Sequence, residues 1–140
     1  MKRYIGTKEI KAEPMNLGEF VKITGRNPYA NASDIHADDE EGYIVEYEDG
    51  YRSWLPKDVF EKAYKVADTF IDRLHIERDE LSLRYMRAQG FCFSRKFKDL
   101  PSNERQAFEV QLDLMRKYLS VLDARIRYAE NKLNINTAKL

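Results

Sequence analysis

Phe108-Glu109-Val110-Gln111-Leu112-Asp113-Leu114-Met115-Arg116-Lys117-Tyr118-Leu119-Ser120-Val121-Leu122-Asp123-Ala124-Arg125-Ile126 is the stretch that decides the fold. Here and just beyond, Phe108, Leu112, Met115, Leu119, Leu122, Ile126, Ala129 and Leu133 follow at intervals of four and three. An α-helix turns once in ~3.6 residues, so this spacing draws one apolar seam over nearly four heptads. Pro101 and Ser102 suit the start of such a helix. It is predicted to run to about Leu133, roughly 45 Å at ~1.5 Å per residue.

Working upstream, a second helical pattern runs from about Lys65 to Gln89, with Ala67, Ile71, Leu74, Leu81 and Tyr85 in one stripe. Phe70 and Met86 widen that stripe, and Gly90 is the expected stop. The link from Phe91 to Leu100 is short and carries three phenylalanines. Helices joined so closely are expected to lie antiparallel, as a hairpin.

A second apolar row, Leu114, Tyr118, Val121 and Tyr128, falls on an adjacent face of the last helix. Two helices are too thin to cover both rows. Each buried side chain of this kind contributes ~1.5–3 kcal/mol. The second row is therefore expected to meet the N-terminal sheet, another protomer, or both.

Before residue 65 the chain changes character. Arg3 to Ala12 alternates loosely like a strand, ended by Pro14. Asn16 can cap a short helix with Leu17, Phe20 and Val21 inward and Gly25 at its end. A polar loop spans residues 25–41. Tyr43-Ile44-Val45-Glu46-Tyr47 and Tyr51-Arg52-Ser53-Trp54-Leu55 flank Glu48-Asp49-Gly50, a hairpin signature. A two-residue loop sets Tyr47 against Arg52 and Val45 against Trp54. Pro56 suits the first turn of a helix bearing Val59, Phe60 and Ala63. The expected fold class is α+β: a small antiparallel sheet in residues 1–64, then a long antiparallel helical hairpin in residues 65–140 that oligomerises.

The totals narrow the function. The chain has 140 residues, 43% hydrophobic and 34% charged, with 24 basic and 24 acidic side chains. Balanced charge argues against a general DNA or RNA binder. Residues 1–64 carry 9 basic and 13 acidic groups, and residues 65–140 carry 15 and 11, so the helical half is mildly basic. No apolar run has the ~18–20 residues a membrane helix needs. Met1 to Gly6 lacks a signal-peptide core, and one cysteine, Cys92, cannot form an internal disulfide. Both features fit a cytoplasmic protein.

Catalytic signatures are absent: no GxSxG elbow, Walker loop, HExxH or GxGxxG. No catalytic residue, metal ligand or cofactor is expected. His36 lies near Asp34, Asp38 and Asp39, which suits a metal or simply a solvated acidic loop. His75 reads as a surface residue of a helix, and Cys92 as a packed thiol between Phe91 and Phe93.

Two stretches have the chemistry for an anionic ligand. In Phe91-Cys92-Phe93-Ser94-Arg95-Lys96-Phe97-Lys98, aromatics alternate with cations. Such interleaving can stack a nucleobase and hold a phosphate. Alternatively, the rings plug the hairpin and the cations are solvated. Arg116-Lys117-Tyr118 and Arg125-Ile126-Arg127-Tyr128 repeat a cation-tyrosine pattern. Arg125 falls near the second apolar row, where it either pairs with a carboxylate or binds a ligand phosphate.

The N-terminal phrases add a resemblance. Arg3-Tyr4-Ile5-Gly6-Thr7-Lys8, Ala12-Glu13-Pro14-Met15, Gly42-Tyr43-Ile44-Val45-Glu46-Tyr47 and Ser53-Trp54-Leu55-Pro56 resemble small phage proteins of the Thoeris anti-defence 1 type. Arg73-Leu74, Glu77-Arg78-Asp79-Glu80-Leu81, Phe97-Lys98-Asp99-Leu100 and Gln111-Leu112 with Met115, Tyr118, Leu122 and Arg125-Ile126 are similar to the helical module of anti-CBASS sponge proteins. The resemblance implies a protein that sequesters glyco-cyclic ADP-ribose signals in the cytoplasm of an infected bacterial host without cleaving them. It also implies a homo-oligomer, dimer or hexamer, with room for cyclic di- or trinucleotides at a second site. The family's Arg-Gly-Trp-like phrase reads Gly25-Arg26-Asn27 here.

On that reading Phe91 or Phe93 stacks adenine, aided by Arg95. Arg26, Arg116 and Arg125 neutralise phosphates, and Lys117 with Tyr118 lines an interhelical site. A structural or protein-interaction module with an exposed helical face is the competing class. A signal-degrading enzyme is a third, for which no nucleophile, metal set or paired acid is in view.

Overall fold

The computed structural model describes residues 1–31 and 35–139. The fold is α+β: a three-stranded antiparallel sheet, then a long helical region. The chain divides into two compact units, Met1–Lys65 and Val66–Leu140.

In the first unit, β1 (Lys11–Pro14), β2 (Gly42–Glu46) and β3 (Arg52–Pro56) form the sheet in that order. β1 is shorter than the alternation from Arg3 suggests. It pairs only four residues, Lys11 with Glu46 through Pro14 with Tyr43. Residues 1–9 are exposed, so the alternation there has no partner strand to reward it. Pro14 lacks an N–H and is tolerated at the end of an edge strand.

The β2–β3 register also differs from expectation. Ile44, not Val45, faces Trp54, and Glu46, not Tyr47, faces Arg52. The Gly50 N–H donates to the Tyr47 carbonyl at 2.8 Å, and Gly50 has φ 82°. This is a three-residue loop with glycine in the left-handed position, in place of a two-residue turn. One extra loop residue shifts every facing pair.

Helix α1 (Leu17–Thr24) forms as its sequence suggests. Asn16 Oδ1 accepts the Glu19 N–H at 2.8 Å, and Gly25 ends the helix at φ 68°. Leu17 and Phe20 bury against Ile44 and Trp54 of the sheet, with Met15, Val21 and Tyr29 around them. The Trp54 indole N–H donates to the Met15 carbonyl at 2.8 Å. Gly42 is required for contact: a Cβ there would collide with the Trp54 ring and the Leu55 carbonyl. Pro56 ends β3 and precedes α2 (Lys57–Ala63) instead of entering it. Phe60 of α2 stacks on Tyr43 at 4.0 Å between ring centres.

The second unit contains α3 (Phe70–Cys92), α4 (Arg95–Lys98) and α5 (Ser102–Ala138). α3 starts five residues later than the periodicity suggests, so Ala67 is outside it. Thr69 explains the start: its hydroxyl accepts the Asp72 N–H at 3.0 Å, and Asp72 accepts the Thr69 N–H at 2.9 Å. This reciprocal cap satisfies two amides at the first turn. Gly90 stays inside the helix, which ends at Cys92 because Ser94 caps the next turn. The link therefore folds partly as α4.

α3 and α5 pack as an antiparallel pair. Leu74, Leu81, Leu122 and Ile126 form the buried seam, flanked by Met115 and Leu119. Each contributes about 1.5–3 kcal/mol by leaving water. Leu133 does not join them: it is 56% exposed, and the whole of 131–139 is exposed. α5 has 37 residues against 23 in α3, so its C-terminal turns outrun their partner.

Candidate functional site

The hairpin tip gathers the first set of candidate residues. Phe91 meets Phe97 and Phe108 edge to face, and Phe97 lies tilted against Phe108, with ring centres 5.3–5.9 Å apart. Phe97 is buried in this plug, while Phe91 and Phe108 are half-buried. Ser94 shapes the bend: its hydroxyl donates to the Phe91 carbonyl at 2.6 Å and accepts the Phe97 N–H at 3.2 Å. That turn points Phe93 outward, 86% exposed.

Around Phe93 in sequence stand Arg95, Lys96 and Lys98, all exposed. None forms an ion pair among the described residues. Arg105, one turn into α5, has its Nε buried without a hydrogen-bond partner. The tip therefore offers a solvated aromatic ring and, close to it in sequence, uncompensated cations. Such a surface can stack a base and attract phosphate.

The second set lies along α5. Arg116 and Lys117 share one carboxylate, Asp113, at 2.9 and 2.6 Å. Hydrogen bonds from Lys117 and then Arg116 hold the Asp113 carboxyl below the ordinary carboxylate range. Tyr118 is exposed next to them. The Arg125 guanidinium lies 5.6 Å from the Phe70 ring centre, a cation–π contact and not an ion pair. From Phe108 it is about 12 Å of helix to Arg116 and about 25 Å to Arg125, at ~1.5 Å per residue. Phe91, Phe93 and Arg95 are thus not brought together with Arg116, Lys117, Tyr118 and Arg125.

Arg26 belongs to the N-terminal unit and works in its architecture. Its Nη2 donates to the Arg52 carbonyl at 2.9 Å, and its guanidinium sits 5.1 Å from the Tyr51 ring centre. Two open depressions, of about 290 and 280 Å³, also lie on this unit beside Lys11 and Glu46.

Both histidines have local partners. His36 Nδ1 is 2.6 Å from Glu40 Oε2, and its ring lies against Tyr29, tilted by 34° with ring centres 3.9 Å apart. Asp34, near it in sequence, lies outside the described residues. His75 Nε2 is 3.1 Å from Glu130 Oε1. Cys92 is a half-buried free thiol. Among the described residues no three His, Cys, Asp or Glu side chains are grouped to hold a metal ion. No helix among them is long and apolar enough to cross a membrane.

Three residues were less visible in the sequence. Arg78 sits in the seam between Leu74 and Leu81, and its Nη1 donates to Asp123 at 3.3 Å. Its Nε is 2.8 Å from the Asp79 carboxylate, without the alignment of a hydrogen bond. Arg105 stands three residues before Phe108, and Phe70 is the platform beneath Arg125. The heptad frame marks positions 78 and 105, but only packing shows what their guanidinium groups meet.

Comparison with known proteins bears on this helical unit. Residues 68–128 match the family model described as Sequestin. The match lies wholly within the second unit and covers less than half of the chain. No curated protein and no solved structure matches the chain.

Proposed function

We propose that the protein binds a small phosphorylated nucleotide signal and sequesters it without cleaving it. The observation that carries this reading is the exposed Phe93 ring among unpaired cations at the tip of the Sequestin-matched hairpin. A ring of that exposure is free to stack a base on one face. Arg95, Lys96 and Lys98 supply positive charge for phosphate. No step of bond cleavage is assigned to any residue, and the protein is read as a binder and not an enzyme.

The ligand class follows from the resemblance together with this surface. Glyco-cyclic ADP-ribose carries one adenine and a pyrophosphate, which matches one ring beside several cations. Cyclic di- or trinucleotides are assigned to the α5 face, where Lys117, Tyr118 and Arg125 lie. The biological role in this reading is that of a phage anti-defence sponge, oligomeric, acting in the cytoplasm of the infected host.

Isothermal titration of the folded protein with glyco-cyclic ADP-ribose isomers tests the proposal. Saturable binding is expected, with intact ligand recovered on denaturing the complex. Absence of binding to every isomer removes the reading, and recovery of a hydrolysed product replaces storage with catalysis. The second reading, a structural or protein-interaction module, is favoured by the exposed apolar row on α5. A protein that binds no nucleotide yet captures a specific partner through that row would establish it.

A further inference from the structure

The two edges of the N-terminal sheet are finished differently. Partners in an antiparallel ladder exchange hydrogen bonds at every second pair, and the residues between turn their N–H and C=O groups away. The Met15 N–H donates to the Gly42 carbonyl at 2.9 Å, so the bonded pairs of β1 are Glu13 with Ile44 and Lys11 with Glu46. Ala12 therefore presents its N–H and C=O, and Pro14 its C=O, to the open side of β1. On the far edge the Tyr47 N–H donates to the Tyr51 carbonyl, which turns Arg52, Trp54 and Pro56 outward. There the Arg52 carbonyl is taken by Arg26 Nη2 at 2.9 Å, and Pro56 has no N–H to offer. β3 is obstructed at both ends, whereas every residue of β1 is exposed.

The surface along β1 is hollow and acidic. The two depressions, of about 290 and 280 Å³, share Lys11 and Glu46, so one runs on from the other along the strand. One end has an apolar floor of Met15, Ile23 and Ile44, and Ile23 is 60% exposed. The other end is bordered by Glu9 and Glu48. Glu46 is paired with Arg52 at 2.8 Å, which leaves Glu9, Glu13 and Glu48 against Lys11 alone. None of these four forms an ion pair among the described residues. Such a trough is complementary to a cation and repels a phosphate.

We propose that β1 accepts an extended basic segment of a partner protein as a fourth strand. Ala12 exchanges two main-chain hydrogen bonds with that segment, and the Pro14 carbonyl accepts a third. An aliphatic side chain of the segment fills the depression floored by Ile23 and Ile44, and a lysine or arginine reaches Glu9 and Glu48. At ~3.3 Å per residue of strand, Glu9 and Glu13 stand about 13 Å apart, so the two anchors of the segment are four residues apart. Main-chain pairing supplies the affinity, and the two anchors supply the choice of partner. This site lies in Met1–Lys65, outside the Sequestin-matched residues 68–128, and does not depend on nucleotide binding.

Amide NMR of the isotopically labelled full chain, titrated with acetyl-Lys-Thr-Thr-Thr-Ile-Thr-Thr-Thr-Lys-amide, tests this. The peptide reads the same in both directions, so either strand orientation offers the aliphatic–basic spacing, and threonine favours the extended form. Saturable shifts are expected at Ala12 and its neighbours, with slower exchange of the Ala12 N–H. A peptide with glutamate in place of both lysines is expected to bind about tenfold more weakly or worse. The same loss is expected of a peptide N-methylated at the two threonines beside the isoleucine, whose N–H groups meet the Ala12 and Pro14 carbonyls. In the chain, Glu13→Lys with Glu48→Lys is expected to reverse the preference between the lysine and glutamate peptides, and Trp54 fluorescence verifies that the variant is folded. Ile23→Ser is expected to weaken binding of the lysine peptide with the fold intact. A parent without saturable shifts at Ala12 overturns the proposal. Equal binding of the glutamate peptide or of the N-methylated peptide also overturns it, as do shifts confined to residues 66–139.

Discussion

Trp54 and Met15 are joined by one hydrogen bond, the indole N–H to the Met15 carbonyl at 2.8 Å, across 39 residues of chain. It ties β3 to the turn that launches α1, in a core where Trp54 is 2% exposed. A buried indole N–H needs such a partner, because an unpaired one costs about 1–3 kcal/mol. The bond also fixes the indole over Gly42, leaving no room for a Cβ.

Gly42→Ala is therefore expected to destabilise the N-terminal unit by about 1–3 kcal/mol, the usual range for overpacking a filled core. Trp54 is the sole tryptophan, so its fluorescence reports this unit in a urea titration. An unchanged midpoint would show that the sheet yields at no cost.

Leu122 is fully buried at the centre of the helical seam. Leu122→Ala should cost about 2–5 kcal/mol, the transfer term plus the cavity left between two stiff helices. Leu114→Ala, on the exposed face of the same helix, should change monomer stability by less than about 0.5 kcal/mol. Urea unfolding followed by helical circular dichroism compares the two. Equal effects would mean the seam has been assigned to the wrong face.

The Thr69 backbone N–H, and then its hydroxyl, hold the Asp72 carboxyl below the ordinary carboxylate range. The folded-state value is depressed, so its stabilisation is present above the unfolded value and lost as pH falls through the folded one. The first turn of α3 is expected to fray below about pH 4, near and under the usual aspartate value. Amide exchange at Arg73 and Leu74 should rise there, and Asp72→Asn should reduce the dependence. Flat protection from pH 5 to 2 would count against the cap.

Phe93 is solvated, so Phe93→Ala should leave the melting temperature within about 1 °C of the parent. If the tip stacks a base, the variant loses about 1–3 kcal/mol of affinity for glyco-cyclic ADP-ribose, roughly 5- to 150-fold. Phe97→Ala should act in the opposite sense, lowering stability by about 3–5 kcal/mol through loss of the aromatic plug. Calorimetry on both proteins separates the two roles. Parent-like binding by the Phe93 variant would place the ligand elsewhere.

The shares of sequence and tertiary structure differ from element to element. The seam from Phe108 to Ala129 was legible because a 3-4 spacing can bury one face only as a helix. The Asn16 and Gly25 ends of α1 were legible because capping chemistry is local. By contrast, the Thr69–Asp72 cap is equally local but was hidden behind periodic residues that continue upstream of it. The β2–β3 register turned on one loop residue, and Glu48-Asp49-Gly50 suits either loop length.

By itself, then, the sequence determined an α+β chain with a heptad-built hairpin and a second, unmatched apolar row. It also put aromatic and cationic residues in alternation at the hairpin's bend. Only the tertiary structure decided which of them stay accessible. Ser94 turns the chain so that Phe91 and Phe97 close the plug while Phe93 stays in water. Arg26 is engaged by a carbonyl 26 residues away, and Arg125 rests on a ring 55 positions before it. The reason is physical: spacing along a helix fixes which side chains share a face, but burial and partnership depend on what arrives from distant parts of the chain.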